Sequence, residues 1–173
     1  MKALVDKLYE NHTLSKGEYK ELIDKRNTEL AEYLFEKARE VRIDNYGHQI
    51  YIRGLIEFTN YCRNDCFYCG IRKSNHQVER YRLTKEEILQ SCLVGYRLGF
   101  RTFVLQGGED GYYTDDKMID IIQSIKSNYP DCAITLSIGE RSYESYKAFY
   151  DAGAERYLLR HETANPKHYE SLH

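Results

Sequence analysis

The first 46 residues place apolar side chains at helical spacing. Ser15 and Glu18 form a capping box, in which a hydroxyl and a carboxylate satisfy each other's backbone donors at a helix start. Asn27 is a second N-cap candidate, and the apolar residues after it recur every three or four positions. Gly47 interrupts this pattern. The sequence therefore predicts a helical extension over residues 1–46.

After Gly47, short apolar runs alternate with segments of helical periodicity. The predicted strands are residues 51–58, 102–106, 133–137 and 156–160. The helix before the third strand has four apolar residues at i, i+3, i+4 and i+7, namely Met118, Ile121, Ile122 and Ile125. Such alternation is typical of βα units that build a parallel sheet. We therefore predict an α/β fold, about four βα units, over residues 47–173.

Cap signals mark where the other helices of this region begin. Thr84 and Glu87 form a capping box, and Ser142 can cap the helix after the third strand. Asn165 followed by Pro166 combines an N-cap residue with the proline that favours the first helical position. These signals place one helix after each predicted strand.

Composition narrows the class of protein. The chain has 173 residues, of which 42% are hydrophobic and 13% aromatic, which excludes a disordered chain. Net charge is −2, from 25 Lys and Arg against 27 Asp and Glu, so no nucleic-acid partner is expected. Charged residues interrupt the first apolar run, and no stretch is long enough to span a membrane. We expect a soluble, cytoplasmic protein without a membrane partner.

Cysteines cluster just after the first predicted strand. Cys62, Cys66 and Cys69 form a C-x3-C-x2-C motif, and three thiolates can ligate three irons of a cubane cluster. The fourth iron is then left without a protein ligand, and an open metal position invites a small molecule to bind. Cys92 lies on a predicted helix face and Cys132 begins a predicted strand, so both are expected in the core.

Two other interpretations of the cysteines are open. A tetrahedral zinc site could use the same three cysteines with His76, although zinc sites usually pair cysteines at C-x2-4-C spacing. The clustering could also be a coincidence among five cysteines. A non-catalytic metal-binding module is therefore the alternative class of function, and it needs a fourth protein ligand.

The second predicted strand ends in Gly107, Gly108 and Glu109. In parallel βα architectures, active sites lie at the carboxyl ends of the strands. Glycines let the backbone approach a ligand closely, and a carboxylate can pair with an ammonium group. In isolation this segment would be an ordinary loop. Its position one βα unit after the cysteines predicts a shared site.

Polar residues also end the third and fourth predicted strands. Thr135 and Ser137 share one face by the period of two, although small hydroxyls could simply fill a barrel centre. Arg160 and Glu162 likewise share a face, and they could be only a paired bridge. We favour the interpretation that all four contact a ligand.

The cysteine spacing, with an aromatic residue before Cys69 and Gly70 after it, resembles the radical S-adenosylmethionine (SAM) superfamily. The resemblance implies a 4Fe-4S cluster whose open iron is chelated by the amino and carboxylate groups of SAM. One electron then breaks a C–S bond and releases a 5′-deoxyadenosyl radical. It also implies that the Gly-Gly-Glu segment binds the SAM amino group. The residues assigned to SAM are Gly107, Gly108, Glu109, Thr135, Ser137, Arg160 and Glu162.

Three longer segments narrow this resemblance. Residues 56–62, 104–110 and 156–166 resemble the HydE maturase family of FeFe-hydrogenases, a branch beside biotin synthase and methylornithine synthase. This implies a role in building the dinuclear iron subsite of the hydrogenase, with a small-molecule or iron-complex substrate and other hydrogenase maturases as partners. The alternative is another biotin synthase-like radical SAM enzyme.

The chain is shorter than the members of that branch. Those members form a complete (β/α) barrel of roughly twice this size. We therefore expect the first half of a radical SAM barrel, preceded by the helical extension, with the chain stopping inside the helix that follows the fourth strand.

Overall fold

A computed structural model describes residues 1–173, which divide into two compact units, residues 1–51 and 52–173. The first unit holds helices α1 (Lys2–Asn11), α2 (Lys16–Asp24) and α3 (Thr28–Tyr46). The predicted capping box of Ser15 and Glu18 is confirmed, and Asn27 accepts a hydrogen bond from the Leu30 amide at 2.9 Å. Gly47 follows α3 with a φ of 64°. The domain division predicted at residues 46 and 47 stays a prediction.

The second unit alternates strands and helices. Its elements are β1 (Gly54–Thr59), α4 (Lys85–Arg97), β2 (Thr102–Gly107), α5 (Asp115–Asn128), β3 (Ala133–Ser137), α6 (Tyr143–Asp151), β4 (Arg156–Tyr157) and α7 (Pro166–Leu172). The four strands form one parallel sheet in the order β1-β2-β3-β4, which confirms the α/β prediction. No helix in the chain is both long enough and apolar enough to cross a membrane.

One face of the sheet packs against the helices and forms the core. Apolar residues of β1, β2 and β3 join those of α4, α5 and α6 in a single buried cluster that includes Phe58, Leu105, Leu136, Ile88, Ile122 and Phe149. The four apolar residues predicted for α5 are all buried. Cys92 and Cys132 are also buried in this core, as predicted. Burial raises the pKa of Cys92 to about 12, so this thiol stays protonated.

Two predicted strand boundaries are wrong. β1 begins at Gly54 because its partner β2 begins at Thr102, so the apolar run of Ile50, Tyr51 and Ile52 has no strand to pair with and remains exposed. β4 has two residues instead of the predicted five. Its ladder ends near the end of β3, with a last hydrogen bond from the Leu158 amide to the Leu136 carbonyl at 2.8 Å. Arg160 and Glu162 therefore lie on a loop, and strand alternation does not place them.

Candidate functional site

The carboxyl ends of the strands surround a pocket of about 410 Å³. The pocket brings together nine of the ten predicted site residues, which are Cys62, Cys66, Cys69, Gly107, Gly108, Glu109, Ser137, Arg160 and Glu162. Thr135 is the exception, because it is buried in β3 and does not line the pocket. The parallel sheet explains this convergence, since it places the ends of successive strands at one edge.

The three clustered cysteines are free and half-buried in the loop after β1. The Cys69 amide donates to the Cys66 carbonyl at 3.0 Å, which folds the second half of the motif into a turn. Burial raises the pKa of Cys66, and the neighbouring Cys62 and Cys69 raise it further. Burial therefore works against the Cys66 thiolate, which a positively charged partner would stabilise.

Arg80 organises the loop that holds the cysteines. Its guanidinium donates to four backbone carbonyls of that loop, those of Asn60, Ile71, Arg72 and Asn75. Backbone carbonyls that are left without donors are costly when partly buried, so a single planar side chain with five donors stabilises an otherwise irregular segment. Arg80 is not among the predicted site residues, because nothing in the local sequence pattern shows that a distant arginine donates hydrogen bonds to these carbonyls.

The Gly-Gly-Glu segment packs directly on the cysteine loop. A Cβ at Gly108 would lie 2.2 Å from the Tyr61 carbonyl oxygen and 2.7 Å from Cys62 Cβ, so only glycine fits there. The Glu109 amide approaches Cys62 Sγ at 3.4 Å as a hydrogen-bond donor, and the Arg63 amide donates to the Glu109 carbonyl at 3.0 Å. The two loops therefore form one continuous wall of the pocket.

The Glu109 side chain is held from two sides. Oε2 pairs with the Arg63 guanidinium at 2.7 Å, and Oε1 accepts from the Glu140 amide at 3.3 Å. Gly139 leaves room for the stem of Glu109, because a Cβ there would lie 2.1 Å from Glu109 Cγ. Since a carboxylate offers about four acceptor positions, these contacts orient Glu109 and leave capacity for a ligand.

Buried Asp110 forms an ion pair with the partly exposed Arg82 behind the pocket. Arg82 donates to both Asp110 oxygens, at 2.6 and 2.9 Å, and Thr59 Oγ1 donates at 2.8 Å. The Asp110 side chain is 3% exposed, and the guanidinium lies 3.8 Å from the Tyr61 ring centroid. Burial by itself would raise the pKa of Asp110, but the hydrogen bonds outweigh it and lower this pKa. The pair thus connects β1, the cysteine loop and the Gly-Gly-Glu segment.

We expect Asp110→Asn to lower the free energy of unfolding by roughly 3 kcal/mol at neutral pH. The substitution leaves the Arg82 cation without its carboxylate, and the loss lies at the low end for buried pairs because Arg82 is a third exposed. Urea unfolding at pH 7 measures it. The matched control is Asp131→Asn in the half-exposed pair with Arg101, for which a loss below about 1 kcal/mol is expected.

The same pair predicts a pH dependence. Because the pKa of Asp110 is lowered on folding, its contribution is fully present above the unfolded Asp pKa of about 3.9. That contribution disappears as the pH falls through the lower folded pKa. Unfolding curves between pH 5 and pH 2 should therefore fall more steeply for the parent chain than for Asp110→Asn. Parallel curves would contradict this role of Asp110.

The geometry does not support the zinc alternative. His76, the fourth ligand that such a site would use, is exposed and does not line the pocket. No three His, Cys, Asp or Glu side chains converge closely enough to hold a single metal ion. A polynuclear cluster makes a different demand, because each thiolate ligates a separate iron.

Comparison with known proteins gives matches over most of the chain. Residues 56–173 match the family model of the Radical SAM superfamily. The [FeFe] hydrogenase maturase subunit HydE of Thermotoga maritima is 43% identical over 163 residues, which cover 94% of this chain and 46% of that protein. The chain thus spans about half the length of the curated relatives it matches.

Two solved structures share the fold. The crystal structure of methylornithine synthase (PylB) superposes with a TM-score of 0.85 at 30% identity, over 98% of this chain and 50% of that one. HydG, a maturase of the [FeFe]-hydrogenase, superposes with a TM-score of 0.89 at 27% identity, over 99% of this chain and 39% of that one. The strands and helices described above therefore correspond to half of the first larger protein and about two fifths of the second.

Proposed function

Since the chain belongs to the radical SAM superfamily, we propose that it binds a 4Fe-4S cluster through Cys62, Cys66 and Cys69, binds SAM beside that cluster and cleaves SAM reductively. The observation that supports this proposal is the shared pocket. Three free, half-buried cysteines and the carboxylate of Glu109 line the same cavity at the carboxyl edge of the sheet. That cavity is the site at which βα folds bind their ligands.

The donor set fits such a cluster. The other two cysteines, Cys92 and Cys132, are buried in the core and do not line the pocket, so only three thiolates are available there. When held by Cys62, Cys66 and Cys69, the cluster would supply one electron to the sulfonium of SAM, whose C–S bond would break to give methionine and a 5′-deoxyadenosyl radical. The loop around the cysteines is already ordered by Arg80.

The remaining pocket residues bind and orient the ligand. Glu109 pairs with the ammonium group of SAM, and Gly107 and Gly108 let the backbone approach it. Ser137, Arg160 and Glu162 lie on the far side of the pocket and suit the carboxylate and ribose hydroxyls. A role of Thr135 in SAM binding stays a prediction, because its hydroxyl lies below the pocket surface.

We further propose a role in assembling the active-site cluster of FeFe-hydrogenases. Identity of 43% to a HydE subunit over nearly the whole chain supports it. The substrate is then a small molecule or an iron complex, and the partners are other hydrogenase maturases. The structural likeness to methylornithine synthase favours, as the second candidate, another biotin synthase-like reaction.

Anaerobic reconstitution tests the cofactor proposal. The chain, loaded with iron and sulfide and then reduced with dithionite, should give the electron paramagnetic resonance signal of a reduced 4Fe-4S cluster. Addition of SAM should shift that signal, and 5′-deoxyadenosine should accumulate. A signal that SAM leaves unchanged would contradict the proposal. An in vitro hydrogenase maturation assay without its HydE component separates the two candidates, since only the maturase restores hydrogenase activity.

We expect Glu109→Gln to weaken SAM binding about 10- to 150-fold. The substitution removes a charge-assisted hydrogen bond of about 1.5–3 kcal/mol to the SAM ammonium group. Equilibrium dialysis of SAM against the reconstituted chain measures the affinity, and iron content should stay at the parent level. Glu86→Gln, on the exposed surface of α4, is the control and should leave the affinity unchanged. Equal affinity in Glu109→Gln and the parent would remove Glu109 from the site.

A further inference from the structure

Polar residues occupy the free face of the sheet directly below the proposed cofactor site. Glu57 of β1 pairs in register with Gln106 of β2, and Gln106 pairs with Ser137 of β3. All three line the pocket. Only Ser137 has a place in the SAM site proposed above. Glu57 and Gln106 are therefore polar pocket residues without a role in the proposed SAM site.

Strand alternation fixes the direction of Glu57. Its neighbours Ile56 and Phe58 are buried in the core that faces the helices, so Glu57 points to the opposite, pocket side. Gln106 has the same relation to the buried Leu105. Both side chains therefore stand on rigid strands, where a binding group is positioned more accurately than on a loop.

The Glu57 carboxylate is oriented but has no cationic partner. Gln106 Nε2 donates to Glu57 Oε1 at 3.1 Å, and the Tyr81 hydroxyl donates to the Glu57 carbonyl at 2.8 Å. None of the ion pairs in the structure includes Glu57. Most acceptor positions of this carboxylate are therefore available to a ligand in the pocket.

Thr135 lies one layer deeper on the same face, in register with Val104 of β2. It is 6% exposed, and its hydroxyl is the buried side-chain oxygen that lacks a hydrogen-bond partner in the structure. It lies two residues before Ser137, so both side chains point to the pocket side of β3. A buried hydroxyl without a partner is destabilising, and such groups in native proteins call for an explanation. Because Thr135 does not line the pocket, its hydroxyl adds polarity beneath the Glu57 layer and is not itself a ligand contact.

We infer that Glu57 determines substrate specificity by pairing with a protonated primary amine of a small-molecule substrate, with Gln106 as its polar neighbour. This inference rests on the proposed function, because it treats the layer as the substrate side of a SAM-binding pocket. A carboxylate at this position attracts an ammonium group and repels an anion. Most of the proposed cofactor contacts come from the loops above, so Glu57 and Gln106 within the strands are left for the second reactant.

Binding of two small probes of opposite charge tests the inference. Saturation-transfer NMR titrations use n-butylammonium and butanoate, which have chains of similar size. The parent chain should bind n-butylammonium and not butanoate. Glu57→Gln should weaken n-butylammonium binding at least about tenfold, and Glu57→Asp, which keeps the charge, should restore part of it. Equal binding by Glu57→Gln and the parent, or tighter binding of butanoate, would overturn the inference.

Two controls locate the probe and separate this inference from the cofactor proposal. Glu140→Gln removes another carboxylate that lines the pocket and should leave n-butylammonium binding intact, whereas loss of binding there would place the probe at Glu140 and overturn the inference. Glu57→Gln should load iron and bind SAM as the parent does. Failure of the variant alone to load the cluster would assign Glu57 to the cofactor site and overturn its substrate role. Failure of the parent to load it, with amine binding still dependent on Glu57, would reject only the cofactor proposal.

Discussion

Replacing any one of Cys62, Cys66 and Cys69 by serine is expected to abolish the broad visible absorbance of the chain after reconstitution with iron and sulfide. In the proposed cluster each thiolate would ligate a different iron, and the pocket offers no other cysteine as a substitute. Serine keeps the size of the side chain but replaces a soft thiolate with a hard oxygen, which binds iron–sulfur clusters poorly. Absorbance spectra and iron and sulfide analyses of the three single variants measure the loss.

The two core cysteines provide matched controls. Cys92→Ser and Cys132→Ser change the same atom in the buried cluster between sheet and helices, so cluster absorbance should stay at the parent level. Equal loss in all five variants would show that serine disturbs folding rather than ligation. Purified parent protein that holds one zinc ion and refuses iron would contradict the cluster itself.

Gly108→Ala should have the second largest effect. The new Cβ would meet the Tyr61 carbonyl oxygen at 2.2 Å and Cys62 Cβ at 2.7 Å, and no side-chain rotation relieves a contact with backbone. The two loops must therefore separate, and we expect iron loading and SAM binding to be lost together. Overpacking of this kind lowers the free energy of unfolding by about 1–3 kcal/mol. Iron analysis, SAM dialysis and urea unfolding measure the three effects.

Gly111→Ala is the control for this prediction. Gly111 lies in the same segment, three residues along, and a Cβ there meets no atom within 4 Å. Iron content and SAM affinity should therefore match the parent. If Gly108→Ala loads iron and binds SAM as Gly111→Ala does, the close contact between the loops is not required for the site.

Local patterns predicted most of the fold. Capping boxes and the i, i+3, i+4, i+7 spacing correctly located α2, α4 and α5, because these signals depend on residues within one or two turns. β3 was predicted with its correct bounds. β1 and β4 were predicted too long, because the length of a strand depends on the partner with which it pairs, and a single segment does not show where that partner ends.

Site residues in short local motifs could likewise be predicted, whereas site residues whose partners are distant in sequence could not. Cys62, Cys66, Cys69 and the Gly-Gly-Glu segment were found because each is a short motif at a strand end. Arg80 and Arg82 were missed, since their partners lie at the ends of β1 and β2 or elsewhere in the loop, at separations up to 28 residues. Asp110 lies in a segment that carries the family resemblance, but no role was predicted for it. Its burial and its ion pair with Arg82 depend on tertiary packing.

The contact between the Glu109 amide and Cys62 Sγ has a thermodynamic consequence. Glu109 lines the pocket with its side chain, and its backbone amide lies 3.4 Å from Cys62 Sγ. A ligand that shifts the Glu109 carboxylate therefore also shifts the Glu109 amide. That amide is the donor that stabilises negative charge on Cys62 Sγ. Equilibrium linkage makes the effect mutual, so the charge on the sulfur changes affinity at the carboxylate by the same factor. In the proposed site, ligand binding at the carboxylate and charge on the sulfur are thus linked through a single peptide group.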